Sequence, residues 1–123
     1  MELAARENAV STKKLTDRQY ILYDLRRTEK INDSRRLAEL VQRSICKGLA
    51  GSYSQVSNLG VKEAPFHVLV GTNMPSILVE VSFISNQLEE QRLKDDKYLD
   101  KLVGAIKEGI VHYMTEIGNY PTA

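Results

Sequence analysis

Two short apolar runs in the middle of the chain constrain its fold more than any other feature. Residues 66–70 (FHVLV) and 77–83 (ILVEVSF) are separated only by the turn at residues 71–75 (GTNMP). Neither run alternates cleanly between apolar and polar residues, which is typical of interior strands covered on both faces in a mostly parallel sheet. Two strands alone cannot bury both of their own faces, so further strands and helices are needed to cover them. The sequence therefore predicts an α/β fold, with a central mostly parallel sheet flanked by helices, that is incomplete within this chain.

Three helices are predicted before the apolar runs. Residues 2–9 match the end of a helix, because apolar residues appear at once with no capping residue before them. A second helix is predicted over residues 16–28, and a third begins at Asp33 or Ser34, whose side chains can cap it. One face of this third helix carries apolar residues at helical spacing, namely Leu37, Val41, Ile45 and Leu49.

Two helices are predicted after the apolar runs. Asn86 can cap a short helix with Glu89 at its third position, and Asp95 or Asp96 can open the last one. Apolar residues recur at three-and-four spacing through this final helix, so it is expected to pack on a substantial apolar surface before Gly118 ends it. They are Leu99, Leu102, Val103, Ile106, Ile110, Tyr113, Met114 and Ile117.

Length and composition narrow the class of protein. A chain of 123 residues with 42% hydrophobic residues fits one soluble domain with its own core. No run approaches the roughly 18 apolar residues that would span a bilayer, and the N-terminus has no signal-peptide pattern. The single Cys46 cannot form an intramolecular disulfide. We therefore expect a soluble domain with no membrane span, whose stability needs neither a disulfide nor a bound metal.

The near-neutral net charge conceals an asymmetry between the two halves of the chain. Residues 1–62 hold 12 basic and 7 acidic side chains, whereas residues 63–123 hold 5 basic and 9 acidic ones. The basic half could face an anionic partner, or its charges could line solvated helix faces, which the interspersed acidic residues favour. No aromatic residues interleave with the basic ones, so no nucleic-acid partner is expected.

Glu80 is the one acidic residue inside an apolar run. Burying a lone carboxylate costs several kcal/mol unless it is paired, bound to a metal or open to a cleft. Near the carboxyl end of a strand in an α/β fold it would lie where such folds bind ligands, and it could act as a general acid or base. The competing interpretation is a glutamate on an edge strand that faces water.

The sequence offers few residues for a metal site or for nucleophilic catalysis. A zinc site needs three or four converging ligands, and the chain offers only His67, His112 and Cys46 besides its carboxylates. His112 is expected to point to solvent, and His67 to lie in the core or line a cleft. Cys46, on the apolar side of a helix, is expected to be an inert thiol. Ser82 and Ser85 lack the setting of a nucleophilic serine.

A longer motif surrounds Glu80. Residues 58–86 contain GVK, the F and VL of FHVL, T.MP, LVE and F.SN, with ILYDL and SRRLAELV upstream and EEQRL downstream. This pattern resembles the C-terminal portion of the zinc-dependent N-acetylmuramoyl-L-alanine amidases, the amidase 3 family. The resemblance covers nearly the whole chain and implies that residues 1–123 are the C-terminal part of an amidase catalytic domain, with residues 58–86 as its catalytic strand block.

The resemblance implies that this chain holds the catalytic carboxylate of the family but not its zinc ligands. It implies that Glu80, the glutamate of LVE, is the catalytic carboxylate of an enzyme that cleaves the amide between N-acetylmuramic acid and L-alanine. The Zn²⁺ of the complete domain would be held by two histidines and one glutamate upstream of this chain, so no metal ligand and no cofactor is expected for the chain alone, and His67 is not one. Leu59 stands where the family usually has arginine, and Ser82 where it usually has glycine.

Partners and location follow from the same resemblance. It implies that the substrate is peptidoglycan and that the complete enzyme acts at the cell envelope or periplasm. It also implies a regulatory helical insertion at residues 11–32, which an activator protein would withdraw from the active site. An unclosed sheet would also allow self-association through its open edge. The alternatives are a noncatalytic module that binds peptidoglycan or regulates an intact amidase, and a helical interaction domain unrelated to cell walls.

Overall fold

The computed structural model describes residues 17–69, 71–82 and 86–118, with side chains from residue 29 onward. It contains three α-helices: α1 (Asp17–Ala50), α2 (Gln87–Leu93) and α3 (Asp96–Glu116). A single turn of 3-10 helix, His67–Leu69, lies between α1 and α2. None of the helices described has the length and apolar character needed to cross a membrane.

The predicted α/β fold is wrong for the described residues, which form helices and no β-strand. The first apolar run contains the 3-10 helix, and the described part of the second, residues 77–82, is neither helix nor strand. A strand is stable only where its backbone groups bond to a neighbouring strand, and within the described ranges neither run has one. The sheet edge on which the predicted self-association depends is therefore missing from this part of the chain.

Helix α1 is continuous over 34 residues, so the predicted helix end at residue 28 and new start at Asp33 or Ser34 are wrong. Ser34, one of the two residues expected to cap, uses its side chain elsewhere: its Oγ accepts a hydrogen bond from the amide of Ser76 at 3.0 Å. A capping residue starts a helix only when it binds the free amides of the first turn, and the Ser34 side chain does not. The helix predicted over residues 2–9 lies outside the described residues.

The predicted starts of α2 and α3 and the predicted end of α3 are confirmed. Asn86 caps α2, because its side chain accepts hydrogen bonds from the amides of Leu88 and Glu89. Asp95 caps α3 by accepting from the amide of Lys97 at 2.9 Å. Gly118 follows the end of α3 with φ +76°, a left-handed conformation that glycine adopts without strain. The sequence signals were sufficient here because each cap is a local interaction.

The core lies between α1 and α3, which run antiparallel. At one end, Leu49 of α1 packs with Tyr98 and Leu102 near the start of α3. At the other end, Arg36 of α1 pairs with Glu116 at the last residue of α3. The buried apolar residues are Leu40, Val41 and Leu49 of α1 and Tyr98, Leu102, Ala105 and Tyr113 of α3.

The face that α3 buries matches the predicted one in part, and Leu99 and Ile106 also pack against the core. Leu102 and Tyr113 are buried as predicted, but Ala105 and Gly109 complete the contact, and Val103 is 63% exposed. Small residues are selected because the two helices approach closely: a Cβ on Gly48 of α1 would lie 3.1 Å from the Cβ of Ala105. The predicted apolar face included neither Ala105 nor Gly109, although both are buried where α3 meets α1.

An aromatic cluster closes the end of the bundle where α1 stops. The amides of Ser52 and Tyr53 bond to the carbonyl of Leu49, which turns the chain back. The Tyr53 ring meets the Tyr98 ring edge-on, with centroids 5.0 Å apart and planes at 82°. The guanidinium of Arg92 lies 5.4 Å from the centroid of Tyr53, so α2 is attached to the same cluster.

The connection after Tyr53 runs back along α1. Asn58 Oδ1 accepts from Gln42 Nε2 at 2.7 Å, and further along, Glu63 Oε1 accepts from Arg35 Nε at 2.6 Å. Both contacts use exposed polar side chains, so the connection lies on the surface of α1. It carries the chain from the C-terminal end of α1 toward its middle, where the Glu80 segment begins.

Candidate functional site

The segment that carries Glu80, residues 76–82, is non-helical and lies without a strand partner among the described residues. Residues 77–79 are half-buried, whereas Glu80 and Val81 are exposed. The carboxylate therefore meets water, as in the competing interpretation, although on an unpaired segment and not on an edge strand. Because Glu80 is exposed, it carries no cost of burying a lone carboxylate.

The turn that precedes this segment is held together by hydroxyl groups. Thr72 Oγ1 donates to the carbonyl of Leu69 at 3.1 Å and lies 3.0 Å from Ser76 Oγ. A hydroxyl carries one hydrogen, so in this arrangement Ser76 Oγ donates to Thr72 Oγ1. Residues 69 and 76 are thereby joined through Thr72 into one closed turn.

Two residues of α1 attach that turn to the helix bundle. Lys30 Nζ donates to the carbonyl of Leu69 at 2.7 Å, and Ser34 Oγ accepts from the amide of Ser76 at 3.0 Å. Partial burial lowers the pKa of the Lys30 ammonium. Residues four apart share one face of a helix, so Lys30 and Ser34 bind the two ends of the turn from the same side of α1.

Sequence reasoning missed both of these α1 residues. The sequence predicts a helix start at Ser34, which gives no indication of a contact with a distant segment, and it places Lys30 between two predicted helices. The available signal is their spacing of four residues, which becomes meaningful only when α1 is known to be continuous.

The other candidate side chains lie apart from Glu80 in the chain and share no described contact with it. His112 is exposed on α3, as predicted, with Nε2 3.9 Å from Glu108 Oε1. His67 is half-buried at the first position of the 3-10 helix. Cys46 is half-buried on α1, where Gln42 Nε2 lies 3.7 Å from its Sγ, and burial raises the pKa of its thiol. A high thiol pKa makes Cys46 a weak nucleophile.

The described residues do not fit a zinc ion. Among them, no group of three or more His, Cys, Asp or Glu residues converges closely enough to hold a metal. A zinc site needs at least three such ligands. Chemistry at a metal therefore cannot be assigned to the side chains of this part of the chain.

Comparison with known proteins defines the class to which the chain belongs. The family model described as N-acetylmuramoyl-L-alanine amidase, amidase 3, matches residues 7–112. The chain therefore belongs to the amidase 3 family, which confirms the resemblance found in residues 58–86. No solved structure matches the chain.

Several curated amidases are similar to parts of the chain. N-acetylmuramoyl-L-alanine amidase LytC of Bacillus subtilis is 40% identical over 81 residues, which are 66% of this chain and 15% of LytC. AmiA of Salmonella typhimurium is 36% identical over 118 residues, 90% of this chain and 39% of AmiA. AmiC of Neisseria meningitidis is 34% identical over 93 residues, 76% of this chain and 21% of AmiC. The chain thus spans well under half the length of these relatives.

Proposed function

We propose that the chain is part of an N-acetylmuramoyl-L-alanine amidase that cleaves the amide between N-acetylmuramic acid and L-alanine in peptidoglycan, at the cell envelope or periplasm. The observation that carries this proposal is the family match over residues 7–112, which includes the Glu80 segment. The names of the similar curated proteins support the same activity.

Glu80 is the carboxylate that we assign to the reaction. Amide hydrolysis requires that a base take a proton from the attacking water and that an acid return a proton to the leaving amine nitrogen. A carboxylate performs both steps if it can reach the reacting atoms. Glu80 is exposed, so a polymeric substrate such as peptidoglycan has access to it.

Zinc dependence belongs to this proposal as a property of the complete enzyme. Because the described residues form no group of three metal-binding side chains, the ion would be held by residues other than these. We therefore propose that the chain alone is catalytically silent. Calorimetric titration of the purified chain with zinc should give no one-to-one binding at micromolar metal, and incubation with peptidoglycan should release no peptides that begin with L-alanine. Tight one-to-one zinc binding, or peptide release, would contradict the proposal.

The role of Glu80 can be tested in a hybrid enzyme. In this AmiA hybrid, the part of Salmonella typhimurium AmiA that matches this chain is replaced by the chain's own residues. We expect the AmiA hybrid to release peptides from peptidoglycan, and Glu80→Gln to lower the rate roughly 10²–10⁴-fold, as for the loss of a general acid or base. Glu108→Gln removes an exposed carboxylate from α3 and is the matched control. Equal rates for Glu80→Gln and the parent hybrid would refute the assignment.

A regulatory role for residues 11–32 is a second part of the proposal. In this interpretation the segment restrains the enzyme until an activator protein withdraws it. Deleting residues 12–28 from the AmiA hybrid stops short of Lys30, and the basal rate should rise while the zinc content stays constant. An unchanged or lower rate with intact folding would count against regulation by this segment.

A noncatalytic module that binds peptidoglycan is the second candidate function. The finding that favours it is the lack of a metal-binding group among the described residues. Such a module should sediment with peptidoglycan sacculi, and its affinity should survive Glu80→Ala. Binding that persists in this variant, together with an inactive but folded AmiA hybrid, would favour the module over the enzyme.

A further inference from the structure

The first residue of the Glu80 segment is bound to the middle of a helix 42 residues earlier in the chain. The amide of Ser76 donates to Ser34 Oγ at 3.0 Å, in a partly buried position. One turn earlier on α1, Lys30 binds the carbonyl of Leu69. The turn from residue 69 to residue 76 therefore has both of its ends fixed to α1.

Downstream of Ser76 the backbone has no comparable support. Within the described residues, the backbone of residues 77–81 makes no hydrogen bond. The next described residue with one is Asn86, whose side chain and carbonyl both bind amides of the first turn of α2. Ser76 is thus the nearest hydrogen-bonded point to Glu80, which lies four residues further on.

A fixed point at Ser76 limits the position of Glu80 because only four residues of chain separate them. Extended chain rises about 3.3 Å per residue, so Glu80 can lie at most about 13 Å from Ser76. Movement of Ser76 therefore moves the point from which this short segment starts. A displacement of about 1 Å at a reacting group can lower a rate by two orders of magnitude.

We propose that Ser34 is a positioning residue for Glu80, acting through its hydrogen bond to the Ser76 amide. The inference rests on the proposed function of Glu80 as the catalytic carboxylate. Lys30 supports the same turn from its other end, but Ser34 holds the residue from which the Glu80 segment starts. Helix α1 thereby fixes the carboxylate that the reaction uses.

Hydrogen exchange and ¹⁵N relaxation of the whole 123-residue chain test the positioning step without any enzymatic activity. Ser34→Ala removes the acceptor, whereas Ser34→Thr keeps it, and Ser57→Ala is an exposed control. In Ser34→Ala the Ser76 amide should exchange about tenfold faster, as expected for the loss of one hydrogen bond. The order parameter of the Glu80 amide should fall below its value in the parent chain, toward the value of about 0.6 that marks flexible backbone. Ser34→Thr should match the parent chain, and an unchanged Glu80 amide in Ser34→Ala would overturn the proposal.

The AmiA hybrid separates this inference from the proposed function. Ser34→Ala should lower kcat roughly 10–100-fold with KM unchanged, and Ser34→Thr should restore it. In the Glu80→Gln background, Ser34→Ala should cause no further loss, since the group that it positions is gone. Additive losses would mean that Ser34 does not act through Glu80. If Glu80→Gln itself has no effect, the proposed function fails, while the exchange and relaxation results still decide whether Ser34 fixes the segment.

Discussion

The backbone of Val41 lies directly against Gly109, at the closest approach of α1 and α3. A Cβ atom on residue 109 would lie 2.5 Å from the Val41 Cα and 3.0 Å from its amide nitrogen. Real Cβ atoms do not approach backbone so closely, so this pair sets the spacing of the two helices that form the core. It also explains why a glycine is buried in the middle of a helix, where glycine has a low intrinsic propensity.

Gly109→Ala should destabilise the protein by about 1–3 kcal/mol, because the helices must separate to admit a methyl group. The matched control is Gly104→Ala on the same helix, where a Cβ would meet nothing within 4 Å. That change should stabilise the chain by about 0.5–1 kcal/mol through helix propensity. Urea unfolding of the two variants measures both effects, and a stabilised Gly109→Ala would contradict the close packing.

The Tyr53 ring should hold the turn after α1 and the α2 helix against the core. Tyr53→Leu removes the edge-on contact with Tyr98 and the cation–π contact with Arg92, and should cost about 1–2 kcal/mol in total. Tyr53→Phe keeps the ring and should be nearly neutral. Thermal unfolding distinguishes the two variants, and equal losses would show that the hydroxyl group matters more than the ring.

The ion pair between Arg36 and Glu116 should make the free energy of unfolding depend on pH in the acidic range. Hydrogen bonds and charge attraction from Arg36 lower the pKa of the Glu116 carboxyl below its ordinary 4.5, and the same pair raises the pKa of Arg36. A carboxyl with a lowered pKa in the folded state stabilises the fold above its unfolded pKa, and that contribution is lost as pH falls through the folded value.

Chemical unfolding of Glu116→Gln between pH 7 and pH 3 should therefore show a weaker loss of stability on acidification than the parent chain. Asp100→Asn is the control, since it removes an exposed carboxylate from α3 and leaves the pair intact. Both partners are more than 40% exposed at the side chain, so added salt should reduce the difference. A Glu116→Gln curve that runs parallel to the parent at every pH would contradict this role.

Cys46 should react slowly with alkylating agents in the folded chain. Partial burial raises the pKa of its thiol, so less thiolate is present than in the unfolded chain at the same pH, and the thiolate is the reactive form. Iodoacetamide at pH 8 should modify Cys46 faster in urea than in buffer. Equal rates in both conditions would show that the thiol is as accessible and as acidic as in the unfolded chain.

The sequence predicted those features of the fold that depend on neighbours in the chain. The caps at Asn86 and Asp95 and the stop at Gly118 are local hydrogen bonds and backbone conformations, and all three are confirmed. The break predicted before Ser34 is wrong, because the partner of its hydroxyl is 42 residues away. The Ser34 hydroxyl does accept a hydrogen bond, but from a distant amide and not from the first turn of a helix.

The family of the protein was determined by sequence alone, since the motif in residues 58–86 is a property of residue order and the family match confirms it. The role of Glu80 within that motif stays a prediction. Only the tertiary structure decided that Glu80 is exposed and that its segment starts from a residue held by α1. Apolar patterning shows which residues can be buried, but whether a run forms a strand depends on a partner strand, and the described residues provide none. The tight contact of Val41 with Gly109 was likewise decided by packing, because backbone spacing between helices leaves no periodic signal in the sequence.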